Sequence, residues 1–399
     1  MSDACTFDAI VIGAGPAGST AAREIALAGW KVALLEKSAT PGASNVCGGM
    51  LSMENIRHHD VPPEVIEKTM TMELHRFPWG TVENSTTQVT VLRRNLDRFL
   101  AERAASSGAT LRTGVRALCI SRRADGCIAV EIRADKNPAD RHTLVSRGLV
   151  LADGPHSLAQ TLGLGFEPHP ADTAFALAYE LAWPDNPMQH YEIYYGPEIA
   201  RWGFAWVFPK RDHLNVGLGC LVEELRNGRD LKGDLSAFIQ GHPIAAKILS
   251  DKPVVRRRGG FIPMREARYM YGPGVLISGD AAGVVNPLFG SGIDNALLTG
   301  ELAGRVMGQA LERNDLSAEF LARYQREWES TKAHRFIIFQ DRLTRLCRPF
   351  ARLDGNLLGK LLQIGFLGGS LSWSQKLHVL LYPFLGGLEP ERSCRVDNS

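Results

Sequence analysis

The residues best suited to chemistry come first: Gly13-Ala14-Gly15-Pro16-Ala17-Gly18 stands between an apolar run, Phe7 to Ile12, and a small-residue stretch that ends at Gly29. A second apolar run, Lys31 to Leu35, closes on the acid Glu36. This pattern predicts a strand, a tight turn, a helix and a parallel strand, the unit that binds a dinucleotide. Gly13 permits the turn, Gly15 lets the backbone approach a pyrophosphate, and Gly18 lets the helix pack close to the strand. Phosphates would sit on the helix N-terminus, where unpaired N–H groups and the dipole favour negative charge. Glu36 would accept hydrogen bonds from the ribose hydroxyls of an adenosine.

A second strand and turn, Val275 to Gly283, lacks a phosphate-type glycine loop but carries Asp280 at the strand end. Two readings of Asp280 are open, an acceptor for a ribityl hydroxyl or a helix N-cap. Shortly after it, Pro287-Leu288-Phe289-Gly290-Ser291-Gly292-Ile293 leads into a helical run to Ala310. Such a loop can turn its N–H groups toward the electron-rich edge of an isoalloxazine ring. Together the segments point to FAD, bound by distant parts of the chain, rather than NAD.

These residues need elements to hold them. Ser38 to Gly49 reads as a long loop, and Leu92 to Ser107 as a helix with Leu96, Phe99, Leu100 and Ala104 on one face. Short strands are predicted at Thr110 to Arg112, Ala117 to Ser121, Ile128 to Ala134 and Leu149 to Leu151, the last leading into Ala152-Asp153-Gly154. From Thr173 to Gly219 the pattern becomes that of an antiparallel sheet: Phe175 to Ala182, His190 to Tyr195, Phe204 to Pro209 and Leu214 to Leu218. A helix is expected over Leu235 to Leu249.

The composition is that of a globular protein, with 399 residues, 45% hydrophobic and 22% charged. A net charge of +2 gives no reason to expect nucleic acid as a partner. The seven cysteines are scattered, with no C-x-x-C pair for zinc or an iron–sulfur cluster, so reduced thiols and no metal are expected. Residues 1–6 lack the apolar core of a signal peptide, which predicts a cytoplasmic location.

Gly13 to Gly18, Arg93-x-x-Leu96-Asp97, Ala152-Asp153-Gly154 and Gly279-Asp280 resemble the para-hydroxybenzoate hydroxylase-like flavoprotein class. Within it, Cys47-Gly48-Gly49, Gly203 to Pro209, Gly259-Gly260-Phe261-Ile262-Pro263 and Asn286 to Ile293 resemble the geranylgeranyl reductase family, which includes the FixC-like electron-transfer flavoproteins. The resemblance runs from about residue 5 to about 310. It implies α/β and α+β architecture: a Rossmann-type FAD-binding domain of interrupted segments, an antiparallel-sheet substrate domain and a helical C-terminal region. The FAD segments are expected at 1–70, 91–170 and 259–315, the substrate domain at 71–90 and 171–258, and the helical region at 316–399.

Carried over by position, Gly13, Gly15 and Gly18 would hold the pyrophosphate, Glu36 the ribose, Arg93 the phosphate side and Asp280 the ribityl chain. Pro287, Gly290, Ser291, Gly292 and Ile293 would border the isoalloxazine. Ala14, Pro16, Ala17, Lys37, Cys47, Gly48, Gly49, Ala117 and Asp153 complete the expected cofactor set. Gln160 stands where the class usually has an arginine, and Ser291 where the reductases often have an acid. Met50 occupies a variable place.

The resemblance puts Cys47 beside the flavin, where two readings are open: a proton donor after hydride delivery, or a small packing residue. Phe204, Trp206 and Phe208 alternate on one strand and so share a face; with Trp202 and Tyr194 or Tyr195 they are expected as a substrate lining, with a core stripe of the sheet as the other open reading. With one Rossmann loop and no second, electrons must arrive from transient NAD(P)H, a ferredoxin or another flavoprotein. Residues 332–352 form a basic amphipathic helix broken near Pro349, with Phe336, Phe339, Leu343, Leu346 and Phe350 opposite Arg335, Arg342, Arg345, Arg348 and Arg352. It suits an anionic membrane surface or packing on the flavin domain. Leu357 to Leu388 is apolar but interrupted, with no uncharged stretch of the roughly 18 to 20 residues that span a bilayer. An interfacial surface or the cover of a lipid tunnel fits it better.

The leading expectation is an FAD-dependent oxidoreductase that reduces C=C bonds of a long, lipid-soluble isoprenoid. The alternatives are a FixC-like carrier passing electrons to quinone, a flavin monooxygenase or halogenase, and a flavin-holding maturation or partner protein. The halogenase W-x-W-x-I-P pattern lacks its first tryptophan here, where Phe204 stands.

Overall fold

Continuous apolar runs and period-two alternation build two different sheets. A computed structural model of the chain describes residues 5–43, 47–134, 137–367, 372–381 and 394–395. Expectations for residues 1–4, 44–46, 368–371 and 382–388 lie outside the described residues.

The first sheet runs in the order Tyr271–Gly272, Val275–Ile277, Asn137–Leu151, Phe7–Ile12, Val32–Glu36, Thr110–Thr113. Phe7–Ile12 is parallel to both neighbours. Every residue of Val32–Glu36 is buried, as a parallel strand covered on both faces requires. Val115–Arg122 and Ile128–Ala134 extend the Asn137–Leu151 strand as an antiparallel meander. The helix Pro16–Leu27 lies against Ile293–Glu312 at a distance only small residues allow. A Cβ on Gly300 would stand 2.3 Å from the Ala17 carbonyl oxygen, and one on Gly304 2.5 Å from that of Ala21.

The second sheet is ordered Val254–Pro263, Thr173–Ala182, His213–Leu221, Ala200–Pro209, His190–Gly196, Met72–Phe77, Gly80–Ser85, Cys394–Arg395. It is antiparallel except where His190–Gly196 meets Met72–Phe77 and where Gly80–Ser85 meets Cys394–Arg395. Tyr194, Ala205, Val207, Val216 and Leu218 face the helix Leu231–Gly241. Tyr191, Tyr195, Trp202, Trp206 and Phe208 face the other way, under the C-terminal helices. A small sheet of Met50–Ser52, Gln88–Val91 and Ile66–Thr69 sits between the two.

Four expectations change. The helix expected over Leu235 to Leu249 is two helices, Leu231–Gly241 and Ala246–Leu249, divided at His242-Pro243. The strand Val254–Pro263 pairs with Thr173–Ala182 through Pro263, past the boundary expected at 258. Cys5 and Cys127 are disulfide-bonded rather than free. Ser146 pairs in register with both Phe7 and Ile128, which brings the residues before them together.

The fourth concerns the helix Lys332–Cys347, which breaks at Pro349 as its sequence predicts. Its core side is Ile337, Gln340, Leu343, Thr344 and Cys347. Of the apolar stripe only Leu343 turns inward; Phe336, Phe339, Leu346 and Phe350 are 45–69% exposed. The apolar face of this helix is therefore divided between the core and the surface.

Gly300→Val forces a branched side chain into the Ala17 carbonyl. It is expected to destabilise the fold by about 1–3 kcal/mol, read as a lower Tm, with weaker FAD retention because the glycine-loop helix must move.

Candidate functional site: a dinucleotide cradle under an aromatic wall

The glycine loop is held by contacts that leave little room for side chains. Gly13 has φ +99°, and a Cβ there would lie 2.3 Å from the Ala152 carbonyl oxygen. A Cβ on Gly18 would lie 1.8 Å from the Gly13 carbonyl oxygen. Gly15 differs, because its nearest neighbour would be the Arg93 guanidinium at an ordinary 3.7 Å. Its open side thus faces a cation. Pro16 opens the helix, with no side-chain cap and no acid in the first turn, so the helix N-terminus is available to an anion.

Glu36 closes the loop from the neighbouring strand. Its carboxylate accepts from the Ala14 N–H at 3.0 Å and the Ser38 N–H at 2.8 Å. These bonds fix the acid at the strand end, with acceptor capacity left for a ribose. Arg93 is held by Asp97 through two bonds, Nε to Oδ1 at 2.8 Å and Nη2 to Oδ2 at 2.9 Å. Burial opposes the Arg93 charge, but the Asp97 and Cys47 side chains outweigh it and raise its pKa.

At the far end Asp280 lies in the short turn Gly279–Ala282, with Ser278 at its N-cap. The Asp280 carboxylate accepts no hydrogen bond among the described residues, so the cap reading does not hold. Burial pushes its pKa up, against the opposing charge of Arg93. A half-buried carboxylate with no donor among the described residues suits a ligand hydroxyl. The 286–291 loop is tied by Asn286, a residue the sequence reading left without a role: its Oδ1 accepts from the Leu288 and Phe289 N–H groups, both at 3.1 Å. Gly292 leaves the helix N-terminus open beside Asp280, to which its Cβ would approach within 3.4 Å. Asp294, in the first turn, accepts from Asn55 Nδ2 at 2.7 Å and from the Ser52 N–H at 3.2 Å. This joins the loop after Cys47 to the loop before Ile293.

Cys47 and Gly48 lie against the aromatic wall. A Cβ on Gly48 would stand 2.5 Å from Phe208 and 3.7 Å from Trp206 Nε1. The Cys47 sulfur accepts from the Gly49 N–H at 3.3 Å, and its side chain is among the groups that raise the Arg93 pKa. Trp206 lies across Gly217, where a Cβ would come within 2.1 Å of the indole, and its Nε1 donates to Asn215 Oδ1 at 2.8 Å. Phe204, Trp206 and Phe208 share one face, as alternation predicts. Leu343, Cys347, Ala351, Leu358 and Leu362 from the C-terminal helices pack against it, with Leu288 from the loop before Ile293.

Other expected residues sit differently. Tyr194 is on the opposite face, its ring 5.0 Å from those of Phe238 and His242, so it does not line the wall; Tyr191, three places before it, and Tyr195, one place after, do. Asp153 lies beside the glycine loop, but its carboxylate accepts from Ser157 Oγ and the Leu158 N–H, forming its own turn. Gln160 donates to the carbonyls of Pro155 and Phe166, locking the loop in which the class has its arginine. Lys37 and Ser291 are exposed, and Ala117 is half-buried in the strand Val115–Arg122, opposite Ile132. His58, His59 and Glu301 bring their ligand atoms within 4.8 Å of one another, but Arg103 and Arg23 crowd His59, an environment hostile to a metal cation.

The cradle suits FAD: a tight loop whose open side faces a cation, an acid at the end of the next strand, and a half-buried carboxylate with no donor among the described residues, beside an open helix N-terminus. The family model described as FAD binding domain matches residues 6–329. The protein is an FAD-dependent oxidoreductase.

Digeranylgeranylglycerophospholipid reductase 1 of Methanopyrus kandleri is 34% identical over 334 residues, covering 81% of this chain and 86% of that protein. Protein FixC of Escherichia coli is 29% identical over 358 residues, covering 81% and 82%. The crystal structure of a geranylgeranyl bacteriochlorophyll reductase-like protein from Thermoplasma acidophilum superposes with a TM-score of 0.79 at 25% identity, over 95% of this chain and 97% of that one. The chain belongs to the geranylgeranyl reductase family of FAD-dependent oxidoreductases.

Asp280→Ala removes a charged acceptor. FAD affinity is expected to fall by about 1.5–3 kcal/mol, measured by fluorescence titration of the apoprotein with FAD.

Proposed function

We propose that this protein reduces carbon–carbon double bonds of a long isoprenoid lipid, taken from a membrane surface onto the aromatic wall under the C-terminal helices. The observation that carries this reading is the wall itself. Phe204, Trp206 and Phe208 are covered by aliphatic side chains and meet the Cys47–Gly49 loop at one edge. Such a surface recognises an apolar chain by area and shape rather than by hydrogen bonds.

Gly13, Gly15, Gly18 and Arg93 would hold the pyrophosphate of FAD, Glu36 the adenosine ribose and Asp280 the ribityl chain. Pro287 and Gly290 to Ile293 would border its ring. Reduced FAD supplies the hydride when bound. Cys47 supplies the proton to the other carbon. Its sulfur already accepts from the Gly49 N–H, with the charge of Arg93 acting on it. The negative charge left on the sulfur falls beside the Arg93 guanidinium, where an oriented cation stabilises it without reorganisation. Electrons come from an external donor, NAD(P)H, a ferredoxin or a flavoprotein.

Membrane contact is supported by the outward face of Lys332–Arg352. Leu346, Phe350 and Leu353 are 69%, 57% and 85% exposed, beside exposed Arg342 and Arg345. Apolar side chains in a basic setting suit the interface of an anionic bilayer. No helix among the described residues is long and apolar enough to cross a membrane.

Two measurements test the proposal. Cys47→Ala is expected to keep its FAD and its rate of flavin reduction, but to slow anaerobic reoxidation by a geranylgeranyl lipid about a hundredfold or more. Equal reoxidation rates would make Cys47 a packing residue. Reoxidation of the wild type by quinone but not by the lipid would favour the FixC-like reading, which the similarity to FixC supports. In co-sedimentation, binding to anionic vesicles is expected to weaken with salt, and to weaken again when Arg342, Arg345 and Arg348 are changed to Gln, by about 1 kcal/mol per arginine near the surface. Absence of binding to any vesicle would assign the outward face to a protein partner.

A further inference from the structure

Lys210 follows the aromatic strand directly, after Pro209, and its side chain is only 1% exposed. A lysine is rarely found so deep without a reason, because its ammonium gives up strong hydration. The Nζ donates to the Gly48 carbonyl at 2.7 Å and to the Val91 carbonyl at 3.0 Å. An ammonium has three N–H groups, and among the described residues the third is committed to no acceptor. Both acceptors belong to the frame of the Cys47 loop: Gly48 is the next residue after Cys47, and Val91 O accepts from Lys210 while the Val91 N–H donates to the Gly49 carbonyl.

The charged and titratable groups facing Lys210 come from three directions: Cys47 on the loop, Glu67 on the strand Ile66–Thr69, and Glu180 on the strand Thr173–Ala182. Burial outweighs all three and pushes the lysine pKa down to about 8. Lys210 is therefore charged below that pH and neutral above it. Arg93, the other cation at Cys47, holds its protons throughout. Of the two cations, only Lys210 can give up a proton near neutrality.

We propose that Lys210 is a positioning residue for Cys47: it pins the Cys47–Gly49 loop through the Gly48 carbonyl and returns a proton to the Cys47 sulfur after each reduction. This rests on the reduction proposed above. When the Cys47 S–H bond breaks and a C–H bond forms, the electron pair stays on sulfur. An Nζ–H bond of Lys210 then breaks as the S–H bond reforms, and the neutral amine regains its proton from water.

The test uses FAD-loaded protein kept reduced by excess dithionite and mixed anaerobically with a geranylgeranyl lipid, over many turnovers, at pH values on either side of about 8. The wild-type rate is expected to fall as pH rises through that value. Lys210→Met is expected to be about a hundredfold slower with its FAD content unchanged. Lys210→Arg, which keeps the cation but cannot deprotonate, is expected to hold the loop, to turn over slowly and to lose the pH dependence. A Lys210→Met variant as fast as the wild type overturns the inference, as does a Lys210→Arg variant with the wild-type profile. Where Lys210→Met fails to retain FAD, the wild type and Cys47→Ala decide: a wild-type rate flat through pH 8, or a fall that persists in Cys47→Ala, overturns the inference. A wild type that the lipid does not reoxidise at any pH overturns the reduction reading and this inference with it.

Discussion

The Arg93–Asp97 pair is the contact on which the site depends. A guanidinium removed from water must be met by an opposite charge in good geometry, and Asp97, with a fully buried side chain, meets it through two hydrogen bonds. From that anchor Arg93 reaches three separate parts of the chain. It faces the open side of Gly15, acts electrostatically on Cys47 and lowers the cost of the Asp280 charge. One cation thus acts on the glycine loop, Asp280 and the Cys47 loop. The bidentate geometry also fixes where the positive charge points, which a lysine on a flexible stem would not.

Two close approaches set the frame around this anchor. The loop at Gly13 runs against Ala152, and the glycine-loop helix runs against Gly300 and Gly304 of the helix Ile293–Glu312. The first places the phosphate loop on the strand end. The second fixes the helix whose N-terminus opens beside Asp280, so the glycine loop and Asp280 are referred to one packed interface. Asp294 extends this frame to the Cys47 side by bonding Ser52 and Asn55. Parts of the site more than two hundred residues apart in sequence are therefore held by short, directional contacts rather than by loops alone.

The substrate side follows a simpler constraint. Side chains on a strand alternate, so a shift of one residue changes the face. Tyr191 and Tyr195 join the aromatic wall while Tyr194 joins the opposite core with Phe238. Small residues make the wall usable: Gly217 clears space for the Trp206 indole, and Gly48 lets the loop lie on Phe208. The C-terminal helix closes the wall with Leu343 and Cys347 and turns Phe336, Phe339, Leu346 and Phe350 outward.

The sequence by itself determined the elements whose signal is local. The glycine loop and its flanking strands, Glu36 at the strand end, the helix from Arg93 and the break at Pro349 all follow from spacing and backbone chemistry within a few residues. The shared face of Phe204, Trp206 and Phe208 follows from period two alone. Only the tertiary structure decided what depends on partners far along the chain. Asp153 and Asp280 are both acids at strand ends, yet the first is consumed by Ser157 and Leu158 while the second is left without a donor. Tyr194 and Tyr195 are adjacent and chemically alike, and the register of the strand assigned them to different cores. Lys210 gave no signal in the sequence, because a lysine after a strand reads as a solvated end. Its burial exists only because the Cys47–Gly49 loop, the Val91 strand and the Thr173–Ala182 strand converge on it, and convergence of distant segments is a property of packing rather than of spacing.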